Sequence, residues 1–593
     1  MTVEKLITDH IDIWSSALQI RSTAGRGSNG KIDLYGIKKL RELILELAVR
    51  GKLVPQDPHD EPASELLKRI AAEKAELVKQ GKIKKQKLLP EISEDEKPFE
   101  LPEGWECARL GNTVAIIRGI TFPASEKHKE PSKGKIACLR TANVQDSIEW
   151  DDLLYVSESF VKRSEQFAEK GDIVMSMANS RELVGKVAYI YNIPTGSATF
   201  GGFLSVIRPY GFNAAFLMSV LRSPSIKSIL IDSSSQTTNI ANISLEKLNP
   251  LVISVPPIGE QNRIASKVEE LMSLCDQLEQ QSLTSLDAHQ QLVETLLATL
   301  ADSQNAEELA ENWARISLHF DTLFTTEASI DALKQTILQL AVMGKLVPQD
   351  PNDEPASELL KRIEQEKAQL VKEGKIKKQK PLPPINDDEK PFELPEGWET
   401  VYMQDISELI TDGTHQTPKY TENGRPFVSA QCVKPFKFMP ENCRFVSEDD
   451  YQQYIKNRKP ELNDILLSRV GAGIGESAII DSDLEFAIYV STGLIKPMKN
   501  NINSYYLVLW LNSPIGREFS SKYTYGKGVS QGNLNLSLIR SFLVSLPPRL
   551  EQERIVSRVN ELFSICDILK SNLQSAQQTQ LHLADALTDA ALN

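Results

Sequence analysis

The phrase DEKPFELPEGW occupies residues 95–105, and the same eleven letters return at 388–398. Working outward from it, residues 47–105 and 340–398 agree at 49 of 59 positions. The likeness fades upstream through IKKLRELILELAV and IDALKQTILQLAV. A second matched pair follows, VPPIGEQNRIASKVEELMSLCDQL at 255–278 and LPPRLEQERIVSRVNELFSICDIL at 546–569. Between the frames lie two blocks, about 106–254 and 399–545, similar in length and unlike in sequence. A period near 300 residues far exceeds the roughly 20–50 of a solenoid unit. The chain therefore reads as two domains held in equivalent positions, with a pseudo-twofold internal duplication.

The frames carry helical periodicity. From Ile264 the apolar positions Val268, Leu271, Cys275 and Leu278 fall at heptad spacing, as do Ile555, Val559, Leu562, Cys566, Leu569 and Leu573. Such a seam requires a partner helix, and it makes Cys275 and Cys566 small core residues. The stretch 62–82 reads as a further helix, with Ser64 suited to its N-cap and Gly81 to its stop. Beyond it, a basic run at 79–87, matched at 372–380, passes into an acidic, proline-bearing tether, and both runs read as solvated linker. Arg263 and Arg554 are expected to open the long helices and to contribute to docking. Trp105 and Trp398 are expected to be packed anchors. Within the blocks, GDIVMSMANSRELVGKVAYIY and NDILLSRVGAGIGESAIID both read strand, turn, strand. The glycines of 470–477 are followed by strand-like SAIID, whereas a nucleotide cradle needs a helix there, so a β-turn is expected.

Bulk properties set limits. A chain of 593 residues has room for roughly three to five domain-sized units. The 41% hydrophobic and 25% charged residues are those of a globular protein. No apolar run is long enough to span a bilayer, and the opening MTVEKLITDH lacks the apolar core of a secretion signal. Six dispersed cysteines without a CxxC pair, and seven scattered histidines, point to reduced thiols in the cytoplasm rather than to a zinc site. A net charge of −13 argues against gripping nucleic acid by bulk charge, but not against reading it with local loops.

The ordered double set of LPEGW, a D-I-L-L-S-type strand before a glycine-bearing turn, and PP…EQ-x-R-I opening a long helix resembles the specificity subunit of type I restriction–modification enzymes, over essentially the whole chain. The resemblance implies an α+β fold: two α/β target-recognition domains separated by long antiparallel coiled-coil helices. On that plan residues 1–104 are an N-terminal helical region and tether, and 105–257 the first recognition domain. Residues 258–397 are the central helical spacer and tether, 398–548 the second recognition domain, and 549–593 the final spacer helix. It further implies a non-catalytic chain that binds double-stranded DNA at a two-part target. Its partners would be two modification (methyltransferase) subunits carrying S-adenosylmethionine and two restriction subunits using ATP and Mg. No cofactor, metal or membrane is expected for this chain itself.

Candidate DNA contacts are polar residues on loops of the variable blocks, since Arg and Lys suit guanine or phosphate and Asn suits adenine. In the first block these are Arg118, Thr121, Lys127, Arg140, Asn143, Asn179, Ser180, Arg181 and Lys186. In the second they are Thr414, His415, Thr417, Lys419, Tyr420, Gln431 and Lys434, the first several on a segment resembling the family's early recognition-domain pattern. Tyr525, Lys527 and Gln531 on a glycine-rich loop complete the set. Two other readings stay open on sequence alone. One is a self-contained DNA-modifying enzyme, although NPLV at 249–252 lacks the second proline and aromatic of an adenine methyltransferase motif and no phosphate loop is present. The other is a coiled-coil adaptor whose blocks bind proteins.

Overall fold

The final letter of the repeated phrase, Trp105, is 5% exposed, and its copy Trp398 is 6% exposed. Both are seen in a computed structural model that describes residues 3–21, 31–81, 83, 88–236, 240–522, 524–525 and 532–592. The chain divides into two compact units, one running to Thr284 and resuming at Gln577, the other comprising Ser285–Ala576.

In the first unit the mount is built around the helix Tyr35–Val49, whose Leu40, Leu43, Ile44 and Leu47 are buried. It turns at Gly51, with φ +68°, where a β-carbon would stand 2.6 Å from Pro102 and 2.9 Å from Trp105. Only glycine satisfies both the left-handed backbone and that proximity. Gly344 repeats this against Pro395 and Trp398. The Trp105 indole donates to Glu260 Oε2 at 2.9 Å, and Gln56 donates to Oε1 at 3.2 Å. In the second unit Trp398 and Gln349 do the same for Glu551, at 3.0 and 3.1 Å. Arg263 pairs with Asp60 at 2.7 Å and Arg554 with Asp353 at 2.6 Å, so both guanidiniums hold the mount of their own unit.

Each mount carries the start of one 44-residue helix, Ile258–Ala301 or Arg549–Leu592, about 66 Å long at 1.5 Å per residue. Contacts inside each unit give their directions. In the second unit the helix Glu327–Val342 meets the later long helix through Glu327–Lys570 and Lys334–Asp567, and Gln349 beyond its end meets Glu551, an antiparallel register. The earlier long helix runs alongside it the same way, with His289 bonded to Leu323 O and Lys345 Nζ capping Ala301 O. The two long helices are thus antiparallel within the unit, as expected. Their seam is shared: Val293, Leu297 and Leu300 of one, Ile555, Val559 and Cys566 of the other, and Ile330, Leu333 and Ile337 of the mount helix form one core. The first unit repeats the scheme through Arg41 with Asp276 and Glu279, Tyr35 with Asp585, and Lys52 capping Leu592 O.

The helix over 63–79 begins at Ala63 with Pro62 in the cap position, so Ser64 lies inside its first turn and is not the cap. Gly81 ends it with φ +68°. The tether that follows is docked, because Arg109, 4% exposed, binds Glu96 and the carbonyls of Pro90, Glu91 and Pro250. That guanidinium holds the Glu96 carboxyl down, to about 2.

The variable blocks fold alike despite unlike sequences. In each, the first and last strands pair antiparallel, Glu106–Arg109 with Val252–Val255 and Glu399–Tyr402 with Leu543–Leu546. A four-stranded antiparallel sheet follows, ordered Val114–Arg118, Leu204–Pro209, Ile173–Ser176, Val187–Tyr189 in the first block. In the second the order is Ser407–Asp412, Thr492–Pro497, Ile465–Ser468, Ser477–Ile479. Each block also has a smaller three-stranded mixed sheet and a helix pair, Ala214–Arg222 with Pro224–Asp232 or Ser504–Asn512 with Pro514–Lys522. The glycines at 471 and 475 make a turn between strands, with no helix following. No single helix among the described residues is long and apolar enough to cross a membrane.

Two outcomes follow. Replacing Trp105 by Phe removes a donor from a buried carboxylate and should cost about 1–3 kcal/mol near neutral pH in denaturant titrations. Burial already raises the Glu260 carboxyl above its usual range, so its contribution to stability is greatest at low pH and is lost as pH rises through that raised value. The deficit of the Phe variant should therefore shrink as pH falls and the carboxyl takes up its proton. Second, burial pushes the Cys275 thiol up to about 11 and raises Cys566 as well. Both should resist alkylation at neutral pH in the native protein and react at once on unfolding, as read by mass spectrometry.

Candidate nucleic-acid interface

In the first variable block the strand Val114–Arg118 ends at the surface, and the chain continues through Ile120–Phe122 beside the Gly201–Gly202 turn. Arg118, Thr121, Lys127 and Arg140 line one open cleft of about 890 Å³. Four of the expected contacts, separated in sequence by up to 22 residues, are brought together here. Arg118, Thr121 and Lys127 are exposed, and neither cation has an ion-pair partner among the described residues. Arg140 is half-buried and pairs with Asp152 at 2.6 Å.

The other expected residues fall into different settings. Asn143, 2% exposed, accepts from the Arg140 backbone and donates to the carbonyls of Glu149 and Asp152, so its amide is used within the loop it braces. Asn179 accepts from the Ser180 backbone at 2.9 Å. Its strand pairs with Ala241–Asn242, and Asn242 lines the cleft. Ser180 and Arg181 are exposed on the adjoining turn. Lys186 is half-buried and donates to Gln145 at 2.6 Å.

In the second domain the loop after Asp412 presents His415, Thr417, Lys419 and Tyr420 to solvent, while Thr414 is buried and accepts from Gln416 N. His415 Nε2 lies 3.2 Å from Asp412. Tyr420 is held by Arg444, whose guanidinium sits 4.5 Å from the ring centre, an orientation fixed by cation–π attraction. Gln431 donates to Asn442 O, and Lys434 lies 3.7 Å from Glu476. Tyr525 contributes backbone to the short strand Thr524–Tyr525, opposite Asn533–Leu534. Its side chain, and all of Lys527 and Gln531, lie outside the described residues.

Sequence reasoning missed two groups. Arg444 was invisible because nothing in its own neighbourhood signals the distant tyrosine. Phe203, 70% exposed on the wall of the first cleft, was signalled only by the double glycine before it. Chemically, the first surface offers guanidinium and ammonium donors beside an aromatic ring, and the second offers Lys, His, Thr and a cation-braced Tyr. Both sets suit phosphates and base edges. Among the described residues no cluster of His, Cys, Asp or Glu could hold a metal ion.

The model of the type I restriction modification DNA specificity domain matches the chain twice, at residues 102–288 and 395–578. The chain is 51% identical to the type I restriction enzyme EcoEI specificity subunit of Escherichia coli and 50% identical to the EcoAI specificity subunit of the same species. Each comparison spans the whole of both chains. Among solved structures it is similar to a chain from work on complex assembly and conformational transition of the type I R-M system. That similarity has 18% identity and a TM-score of 0.48, covering 84% of this chain and 99% of the other. Carrying the specificity domain twice and matching known specificity subunits from end to end, the chain belongs to the family of type I restriction–modification specificity subunits.

Proposed function

We propose that this specificity subunit reads a two-part target in double-stranded DNA, one half with each recognition domain, and performs no chemistry of its own. The observation that carries this reading is the pairing of closely matched mounts with unlike surfaces. The Trp–Glu latch recurs in both units to within 0.1 Å, while the exposed residues of the two blocks differ almost throughout. A single reader would need one block, and a symmetric target two equal ones. Uninterrupted helices between the blocks would keep the gap between half-sites constant.

The net charge of −13 accords with a reader that leaves most phosphate neutralisation to others. In this reading two methyltransferase subunits carrying S-adenosylmethionine and two restriction subunits using ATP and Mg assemble on the helical frames, in the cytoplasm. The names of the relatives, all parts of restriction enzymes, support such an assembly.

Selection from randomised duplex by the chain with its methyltransferase partners should enrich two short, different motifs at one fixed gap. Absence of enrichment would favour a protein adaptor. Incubated alone with DNA and a labelled methyl donor, the purified chain should transfer no label; robust transfer would overturn the non-catalytic reading.

A further inference from the structure

Around this cleft the two recognition domains share a pattern of backbone hydrogen bonds. Met177 N donates to Phe203 O, and Ile243 N to Met177 O. In the second domain Arg469 N donates to Ser491 O, and Leu534 N to Arg469 O. Arg118 lies opposite Ser205, as Asp412 lies opposite Gly493. Three positions are therefore equivalent and chemically unlike. Arg118, Met177 and Phe203 in the first domain stand where Asp412, Arg469 and Ser491 stand in the second.

The consequences differ sharply. In the second domain Arg469, 5% exposed, forms an ion pair with Asp412 and donates to the carbonyls of Val490 and Leu534. Its stem lies over Gly493, where a β-carbon would come within 3.2 Å. Ser491 is turned inward and accepts from Ala430 N. This place is occupied by protein. In the first domain methionine leaves it open, Arg118 projects to solvent, and the Phe203 ring stands at the edge of the cleft. The ring is not an isolated surface hydrophobe, because Ile120, Phe122, Met177 and Ile243 continue its apolar lining. Arg118 and Lys127, without an ion-pair partner among the described residues, supply cations, and Glu246 contributes a carboxylate to the lining.

We infer that this cleft is where the first domain takes duplex DNA, with Phe203 as a specificity-determining contact to base edges and Arg118 and Lys127 as phosphate anchors. The inference rests on the two-part reading proposed above. Cations flanking an apolar ring fit a polyanion whose grooves expose thymine methyls and base steps. The second domain, with its place sealed by Arg469, reads instead with the 414–420 loop braced by Arg444. At this place the two readers differ through a few side chains on a shared backbone pattern.

The test uses the full chain with its methyltransferase partners on randomised duplex. F203A, on a largely exposed residue, should lower discrimination about tenfold at one or two positions of one half-site only. The other half-site and the gap should stay unchanged, which also reports that the complex is folded. R118A/K127A should weaken binding across sequences and make the slope of log K against log salt shallower by about 2. M177R/R118D/S205G, which rebuilds the sealed arrangement with the glycine its arginine stem needs, should abolish reading of that half-site alone. Unchanged discrimination with F203A, or degeneracy in both half-sites, would overturn the inference. If the unaltered complex enriched no two-part motif, the proposed function itself would fall, and this inference with it.

Discussion

A carboxylate removed from water must be given donors, or its burial destabilises the fold by several kcal/mol. Glu260 and Glu551, each 1% exposed, face this condition at the first turn of the two long helices. Each is met by a tryptophan indole and a glutamine amide from the same unit. Because the indole belongs to the phrase that opens the recognition domain, one interaction locks together the mount, the entry to the reader and the start of the helix that leaves it. The other parts of each unit are positioned from this point.

The tryptophan also packs edge-on against an apolar helix of its reader, Phe216 in one case and Tyr506 in the other, with ring centres 6.5 Å apart in both. Ser254 and Ser545 fasten the last strand of each reader to the mount helix through bonds of 2.7 Å to Val49 O and Val342 O. Lys74 of the helix Ala63–Lys79 and Lys367 of its copy Ala356–Lys372 reach to carbonyls at the base of the domain, and burial lowers both amines, Lys74 to about 8. Such fixing leaves loops free to vary without altering where the domain sits on its mount. The divergence of the readers and the constancy of the frames are two sides of the same mechanical arrangement.

Inside the readers, buried charge plays the structural part that sequence patterns do not reveal. Asp172 is held by Arg208 in the first domain, and Asp464 by Lys496 and Lys499 in the second. These pairs tie the loop before a central strand to its neighbour, so that the turn at the other end of that strand is presented in the same way. What the turn then offers depends on single side chains: a methionine that yields space or an arginine that fills it.

Much of this was legible in the linear sequence. The repeated phrase disclosed the duplication, heptad spacing disclosed the long helices and their buried cysteines, and the strand–turn–strand texture was correctly read in both blocks. Those signals are local, arising from periodicity and from residues whose backbone preferences act within a few positions. The cap of the helix over 63–79 was misplaced by two residues because proline and serine both suit a helix start. What only the tertiary structure decided are pairings across long separations: Trp105 with Glu260, Arg444 over Tyr420, Arg469 against Asp412. No spacing rule encodes such meetings, since they depend on how strands are ordered and on which side chain a facing backbone leaves room for. The sequence determined that there are two mounts and two readers; the folded contacts determined that one reader holds an open cationic cleft where the other holds a buried ion pair, because a single arginine finds its carboxylate only once the sheet has formed.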